Sequence, residues 1–399
     1  MKMDESFHRA FEVLQIIEEH GFSAYLVGGC VRDYVLQRDV GDIDIATSAT
    51  PKQIQTIFEK VIPVGIEHGT VIVRHRQNSY EVTTFRIDGD YSDQRHPDSV
   101  RFIDKIDLDL ARRDFTINAL AMDREKNIID LFSGKEDLKK KTIRTVGDSL
   151  SRFNEDALRM IRALRFSSQL GFTIEVNTLQ AIQQLKAEIE QVAIERILHE
   201  MTKFFAGKHI CIGLRYLYAT QIYQFLPVFK DNLTLIKKIP ENILPLSSFS
   251  EVIALLHLVH PNISILEWVK KWKCANVIKK EATHLVDNVL YYRAHDLDPW
   301  LVYQVKQDYH KQFFRLVKIL FGEIDQTTFL SLYHDLAIHS RKELQLNGND
   351  LLDMFPQSKP GPWVQEILNT VEKLVVLRQI KNDKTMIKEW ILCNPPEIN

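Results

Sequence analysis

Near residue 142 the spacing of apolar residues changes from one rhythm to another, and this change limits what the chain can build. Before it, short runs rich in β-branched and aromatic residues alternate with helical stretches. The pattern predicts strands over 24–27, 42–46, 70–74, 79–85 and 128–130, with the turn Arg76-Gln77-Asn78-Ser79 between the third and fourth of these. After it, apolar residues recur at helical spacing almost everywhere, as in 156–170, 177–187, 195–206 and 210–218. A small mixed or antiparallel sheet with helices, followed by an all-helical remainder, is the architecture this predicts. At 399 residues the chain is too long for one typical domain.

Composition excludes several classes. A formal net charge of −2 means that nucleic acid would have to be gripped by locally segregated cations. Cys30, Cys211, Cys274 and Cys393 are scattered without a Cys-x-x-Cys, which argues against a zinc site or a disulfide framework and fits a reducing compartment. The most apolar region, 253–268, carries His257, His260, Pro261 and Asn262 and is too polar to span a bilayer. With no N-terminal signal pattern, a cytoplasmic location without membrane association is expected. The sequence sets no oligomeric state, and a homodimer is left open.

The chemistry concentrates in a few short segments. Tyr25-Leu26-Val27 reads as a buried strand, Gly28-Gly29 as a tight turn, and Cys30 to Leu36 as a helix whose free N–H groups point back at that turn. Asp42-Ile43-Asp44 follows on the next expected strand, so that both carboxylates would share one face and the isoleucines the other. A Gly-Gly pair alone is an ordinary turn. Two aspartates on one strand face repel each other and are uncommon there, and hard oxygen ligands in that arrangement suit Mg²⁺ held jointly with substrate phosphates. Glu81 would join them if its strand lies beside that of Asp44; otherwise it is a solvated edge residue. Arg112 and Arg113 precede Asp114, an expected N-cap, and Arg113 is a candidate for binding phosphate oxygens in fork geometry. Asp156, Arg159, Arg162 and Arg165 repeat every third residue and form a charged stripe if all four lie on one helix. An aspartate only accepts hydrogen bonds and an arginine only donates. Asp156 beside Arg159 would therefore match the amino donor and ring acceptor of cytosine and adenine and reject uracil and guanine.

Gly28-Gly29-Cys30-Val31-Arg32-Asp33, Asp42-Ile43-Asp44, Glu81 to Arg86, Arg112 to Asn118, and Glu155 to Arg159 with Arg162 and Arg165, in that order, resemble the bacterial CCA-adding enzymes, tRNA nucleotidyltransferases of the second class of the nucleotidyltransferase superfamily. Leu346 to Leu352 and Pro360 to Val364 are similar to the tail of such enzymes. The resemblance implies a seahorse-like α+β nucleotidyltransferase head (1–141) followed by an all-α neck (142–206), body (207–275) and tail (276–399). It implies template-independent addition of CCA to tRNA from CTP and ATP, with Mg²⁺ as cofactor. It places the catalytic metal on Asp42 and Asp44 with Glu81 nearby, the triphosphate on Gly29 and Arg32, the nucleotide on Arg113, and the base on Asp156 and Arg159 supported by Arg162 and Arg165. Cys30 departs from the alanine such enzymes more often carry. The polar stretch 86–97 is expected to be a surface loop that resets the pocket from C to A. A poly(A) polymerase, or an enzyme adding only CC or only A, is the alternative. The dipeptides His295-Asp296 and His334-Asp335 lack the further ligands that a metal phosphohydrolase requires.

Overall fold

The computed structural model describes residues 2–89 and 99–395. Residues 90–97 of the expected surface loop 86–97 lie outside the described residues, and its first residues, Arg86–Asp88, form a strand instead. The chain divides into two compact units: 1–237 with 271–273, and 238–270 with 274–399.

The first unit opens with α1 (Lys2–Glu19), β1 (Ala24–Val27), α2 (Gly29–Val35), β2 (Asp44–Thr47) and α3 (Pro51–Ile57). Then come β3 (Val61–Gly65), β4 (Thr70–His75), β5 (Asn78–Thr84), β6 (Arg86–Asp88), β7 (Val100–Phe102), α4 (Ile106–Ala111), β8 (Leu120–Met122), β9 (Ile128–Asp130) and α5 (Gly134–Lys140). Seven strands form one sheet in the order β3-β4-β5-β2-β1-β8-β9, while β6 and β7 pair separately. Every pairing in the large sheet is antiparallel except β2 with β5, which is parallel. That exception matters, because its register sets Asp44 opposite Glu81. Val27, Ala46, Phe85, Leu110 and Ala121 pack together beneath this part of the sheet and hold the strand ends in place. The pattern-based strands are recovered, with one shift: β2 begins at Asp44, so Asp42 lies in the bend before the strand rather than on its face.

The unit continues with α6 (Ser149–Glu155), α7 (Leu158–Leu170), α8 (Val176–Leu185), α9 (Ile194–Phe205) and α10 (Ile210–Thr220). Here the expected helix over 156–170 is interrupted. Asp156 is extended, with φ −150° and ψ 103°, and separates α6 from α7. It therefore sits ahead of the arginine stripe instead of on it. Helices α7 and α9 run parallel, and the Ser168 hydroxyl donates to the Phe204 carbonyl at 2.6 Å. Gly207 allows this close approach, since a Cβ there would meet the Ser168 backbone at 2.5 Å.

The second unit is helical, as the period predicted. Its core gathers Ile338, Leu346, Leu351, Trp363, Val371, Val375, Ile387 and Ile391. Asn347 caps the helix Gly348–Met354 with a reciprocal capping box, and Pro362 opens the helix Pro362–Val376. His295 and His334 are the last residues of their helices. No helix among the described residues is long and apolar enough to cross a membrane.

Candidate active site

The site grows from the end of β1. Val27 pairs with Asp44 across the antiparallel ladder, so the turn that follows it lies next to the aspartates. Gly28 has φ +74°, a left-handed conformation that favours glycine, and its N–H donates to Leu120 O at 3.1 Å. A Cβ at Gly28 would stand 3.0 Å from Arg113 Nη1, so the absent side chain also makes room for that arginine. Cys30 fills the space below the turn: it is buried, its thiol donates to Val27 O at 3.2 Å, and burial pushes its pKa up to about 11. It is a small packing group here, not a nucleophile.

A cavity of about 990 Å³ opens above the turn. Every residue singled out from the sequence as a site residue lines it: Gly29, Arg32, Asp42, Asp44, Glu81, Arg113, Asp156, Arg159, Arg162 and Arg165. Their partners were less legible than their presence. Asp44 is partly buried, and burial, then the charge of Glu81, raises its pKa to about 6 against the opposing pull of Arg113; Asp42 adds to the rise. Glu81 and Asp42 thus both disfavour the charged form of Asp44. Among the described residues no group of three or more His, Cys, Asp or Glu converges closely enough to hold a metal by itself. Two carboxylates completed by substrate phosphates is the pattern that remains, and it is the one Mg²⁺ favours.

The raised pKa of Asp44 carries a stability consequence. Below pH 3.8 the carboxyl is protonated in both folded and unfolded chains and its burial costs little. As the pH rises from 3.8 towards 6 the unfolded chain loses the proton first, so stability falls, and above about pH 6 the penalty is complete. Its size is on the order of 2 kcal/mol. Asp44→Asn is therefore expected to raise the thermal midpoint in metal-free buffer at pH 7.5 by about 4–8 °C. At pH 4.5 the gain should shrink to about a third, and added Mg²⁺ should stabilise the wild type alone. An unchanged midpoint at pH 7.5 would count against a strained carboxylate cluster.

The arginines are held by carboxylates that the sequence did not reveal as partners. Asp109, 1% exposed, accepts from Arg112 at 3.0 and 2.7 Å and from Arg113 at 3.1 Å. Burial alone would raise its pKa, yet these two guanidinium groups hold it below the usual carboxylate value. Buried Arg113 Nε has no hydrogen-bond partner among the described residues. Asp114 is not the expected N-cap. It accepts from the Phe115 N–H at 2.8 Å and Asn118 Nδ2 at 3.2 Å, and Arg162 Nη2 lies 2.6 Å away. Burial opposes its charge, but Arg162 prevails and its pKa falls to about 2. Arg32 is clamped by Asp33 at 3.0 and 2.8 Å and donates to Asn118 Oδ1 at 2.7 Å. A continuous polar chain therefore runs from the turn through Arg32, Asn118, Asp114 and Arg162 to Glu200. Arg32, Arg162 and Arg165 also surround the Phe166 ring at 5.2, 5.5 and 3.9 Å from its centroid, and Phe115 packs edge-on against that ring.

The pairing inferred for Asp156 and Arg159 is not a direct one. Arg196, on α9, donates to both Asp156 oxygens at 3.3 and 2.8 Å, while the Leu158 N–H caps Oδ1 at 3.1 Å. Arg159 donates to Glu155 at 2.5 Å, to Arg152 O at 3.2 Å and to Arg112 O at 3.4 Å, and its Nε has no partner among the described residues. A fixed acceptor thus stands near a fixed donor, each oriented by a different neighbour. Arg196 and Glu200 escaped the sequence reading. Glu200 had a signal: it falls among Ile197, Met201 and Phe204, on the buried stripe of α9, where an unpaired charge would be very costly.

The chain's first domain matches the family model described as "Poly A polymerase head domain" over residues 24–144. Residues 171–233 match "Probable RNA and SrmB- binding site of polymerase A", and 246–391 match a model of tRNA nucleotidyltransferase domain 2. The chain is 48% identical to the CCA-adding enzyme of Oceanobacillus iheyensis over all of both chains, and 40% identical to that of Anoxybacillus flavithermus, again over all of both. Its fold is similar to the crystal structure of the Bacillus stearothermophilus CCA-adding enzyme in complex with CTP, with a TM-score of 0.85, 34% identity and 97% of each chain covered. Sequence, fold and the residues gathered around one cavity agree, and the chain belongs to the family of CCA-adding enzymes, the tRNA nucleotidyltransferases.

Proposed function

We propose that this cavity adds the terminal C, C and A to tRNA, taking CMP from CTP and AMP from ATP and releasing pyrophosphate. The observation that carries the reading is that one cavity holds both halves of the required chemistry. The acidic pair Asp42 and Asp44 stands beside the Gly28-Gly29 turn, and the acceptor–donor pair Asp156 and Arg159 lines the same space. Family membership supports it.

The residues divide the work. Asp42 and Asp44, with Glu81 beside them, would hold Mg²⁺, two hard carboxylates that substrate phosphates would complete. When bound, Mg²⁺ supplies positive charge to the triphosphate and the leaving pyrophosphate. Gly29 lets the backbone approach the triphosphate, and Arg32 and Arg113 bind its oxygens. Asp156 accepts the base's amino group through the capacity left on Oδ2, and Arg159 donates from Nε to the ring nitrogen. Arg162 and Arg165 keep the surrounding field positive. The helical segments after the head grip the tRNA duplex by shape and phosphate contacts. No templating nucleic acid is needed, because the protein itself presents the pairing edge.

The test is direct. The protein is incubated with Mg²⁺, tRNA lacking CCA and each nucleotide, and the 3′ ends are sequenced. CTP alone should add two residues, CTP with ATP should add CCA and then stop, and UTP or GTP should add almost nothing. A long A tract would identify a poly(A) polymerase, and arrest at CC would identify a partial enzyme.

A further inference from the structure

The charges lining the cavity are unequally satisfied. Of the eight arginines there, seven, at 32, 112, 113, 159, 162, 165 and 196, each lie against a carboxylate, and Arg86 donates to the His68 carbonyl. His199 and Lys203 line the same cavity, are exposed, and have no ion pair or hydrogen bond among the described residues. They lie four residues apart on α9 and so share one face of that helix. Glu195, one turn earlier on the same face, is engaged by Lys273 at 3.3 Å.

Where these cations stand along the cavity follows from the pairing of α9 with α7. Arg196 meets Asp156; Glu200 lies between Arg162 at 3.4 Å and Arg165 at 2.6 Å; Phe204 meets Ser168. The parallel helices thus climb together from the base-selecting end. Lys203 comes about 10 Å along α9 from Arg196, level with Phe166, the ring over which Arg32 lies at 5.2 Å. That is the end of the cavity assigned above to the triphosphate.

The geometry points to Lys203, assisted by His199, as the seat of the two phosphates that leave as pyrophosphate. In the transfer, the tRNA 3′ oxygen forms a bond to the α-phosphorus, and the bond from that phosphorus to the bridging oxygen breaks. The electron pair departs on pyrophosphate, and the hydroxyl proton passes to water. Negative charge therefore accumulates on the leaving group. Arginines already neutralised by carboxylates answer that charge weakly, whereas an ammonium with no internal partner meets it with full strength. A lysine suits this task, since it is a mobile point charge that can follow the departing group.

This inference rests on the proposed transfer reaction, and the experiment separates the two. Wild type, Lys203→Gln, Lys203→Arg and the double variant Lys203→Gln with His199→Gln are assayed forwards, with CTP and tRNA lacking CCA, and in reverse, with inorganic pyrophosphate and tRNA ending in CCA. Thermal midpoints are recorded alongside; Lys203 is exposed, so they should not move. Lys203→Gln is expected to raise the KM for pyrophosphate about tenfold, the loss of one charge-assisted contact, with the double variant higher still and Lys203→Arg close to wild type. The KM for tRNA and the preference for CTP over UTP should stay within twofold of wild type. An unchanged KM for pyrophosphate overturns the assignment, as does a raised KM for tRNA with pyrophosphate unaffected, which would make Lys203 a contact for the RNA. If the wild type itself transfers nothing, it is the proposed function that fails.

Discussion

Replacing Asp42 or Asp44 with alanine is expected to abolish nearly all nucleotide transfer, lowering kcat by at least about 10³-fold, or about 4 kcal/mol of transition-state stabilisation. On the proposed reading, Gly28-Gly29 brings the triphosphate's negative charge beside Asp42, Asp44 and Glu81, where burial, and then the charge of Glu81, already raises the Asp44 pKa to about 6. Nucleotide and carboxylates can share that space only with a divalent cation between them, and losing either aspartate leaves that cation with half its fixed ligands. tRNA binding, spread over the helical segments, should change less than threefold. Single-turnover CMP incorporation and a filter-binding titration measure the two quantities, and transfer within tenfold of wild type by either variant would sink the metal assignment. Glu81→Gln is the informative neighbour, because it keeps the shape while removing a charge that presses on Asp44.

Base choice should collapse when the acceptor–donor pair loses its supports. Asp156→Ala is expected to reduce the preference for CTP over UTP by about 10–100-fold in kcat/KM, the value of one well-placed bidentate readout. Arg196→Ala should move selectivity in the same direction, although its side chain need never touch the nucleotide. It binds both Asp156 oxygens, and without it that carboxylate is free to turn away. The comparison that decides is selectivity against rate. If kcat/KM falls equally for all four nucleotides in both variants, then Asp156 and Arg196 support catalysis without selecting the base. Arg196→Lys should recover only part of the selectivity, since a single ammonium cannot hold two oxygens in fork geometry.

Much of this protein was written locally. The change of apolar period near residue 142 foretold where the sheet ends and helices take over, because periodicity reports which faces are buried. The Gly-Gly turn, the aspartates after it and the arginine stripe were legible as candidates from residue type and spacing, and they line one cavity. What the sequence did not contain was who holds whom. Glu81 stands opposite Asp44 through the one parallel pairing in the sheet, and nothing in either segment specifies that register. Asp156 belongs to Arg196, 40 residues away, and Asp114 to Arg162, 48 residues away. Even the stripe was read too simply, since Asp156 breaks the helix that spacing alone would continue. Local propensity and periodicity are settled over a turn or two of chain, whereas an ion pair is settled by which surfaces the whole core brings together. Tertiary structure alone decided how each charge is neutralised, and with it which cations remain free for a substrate.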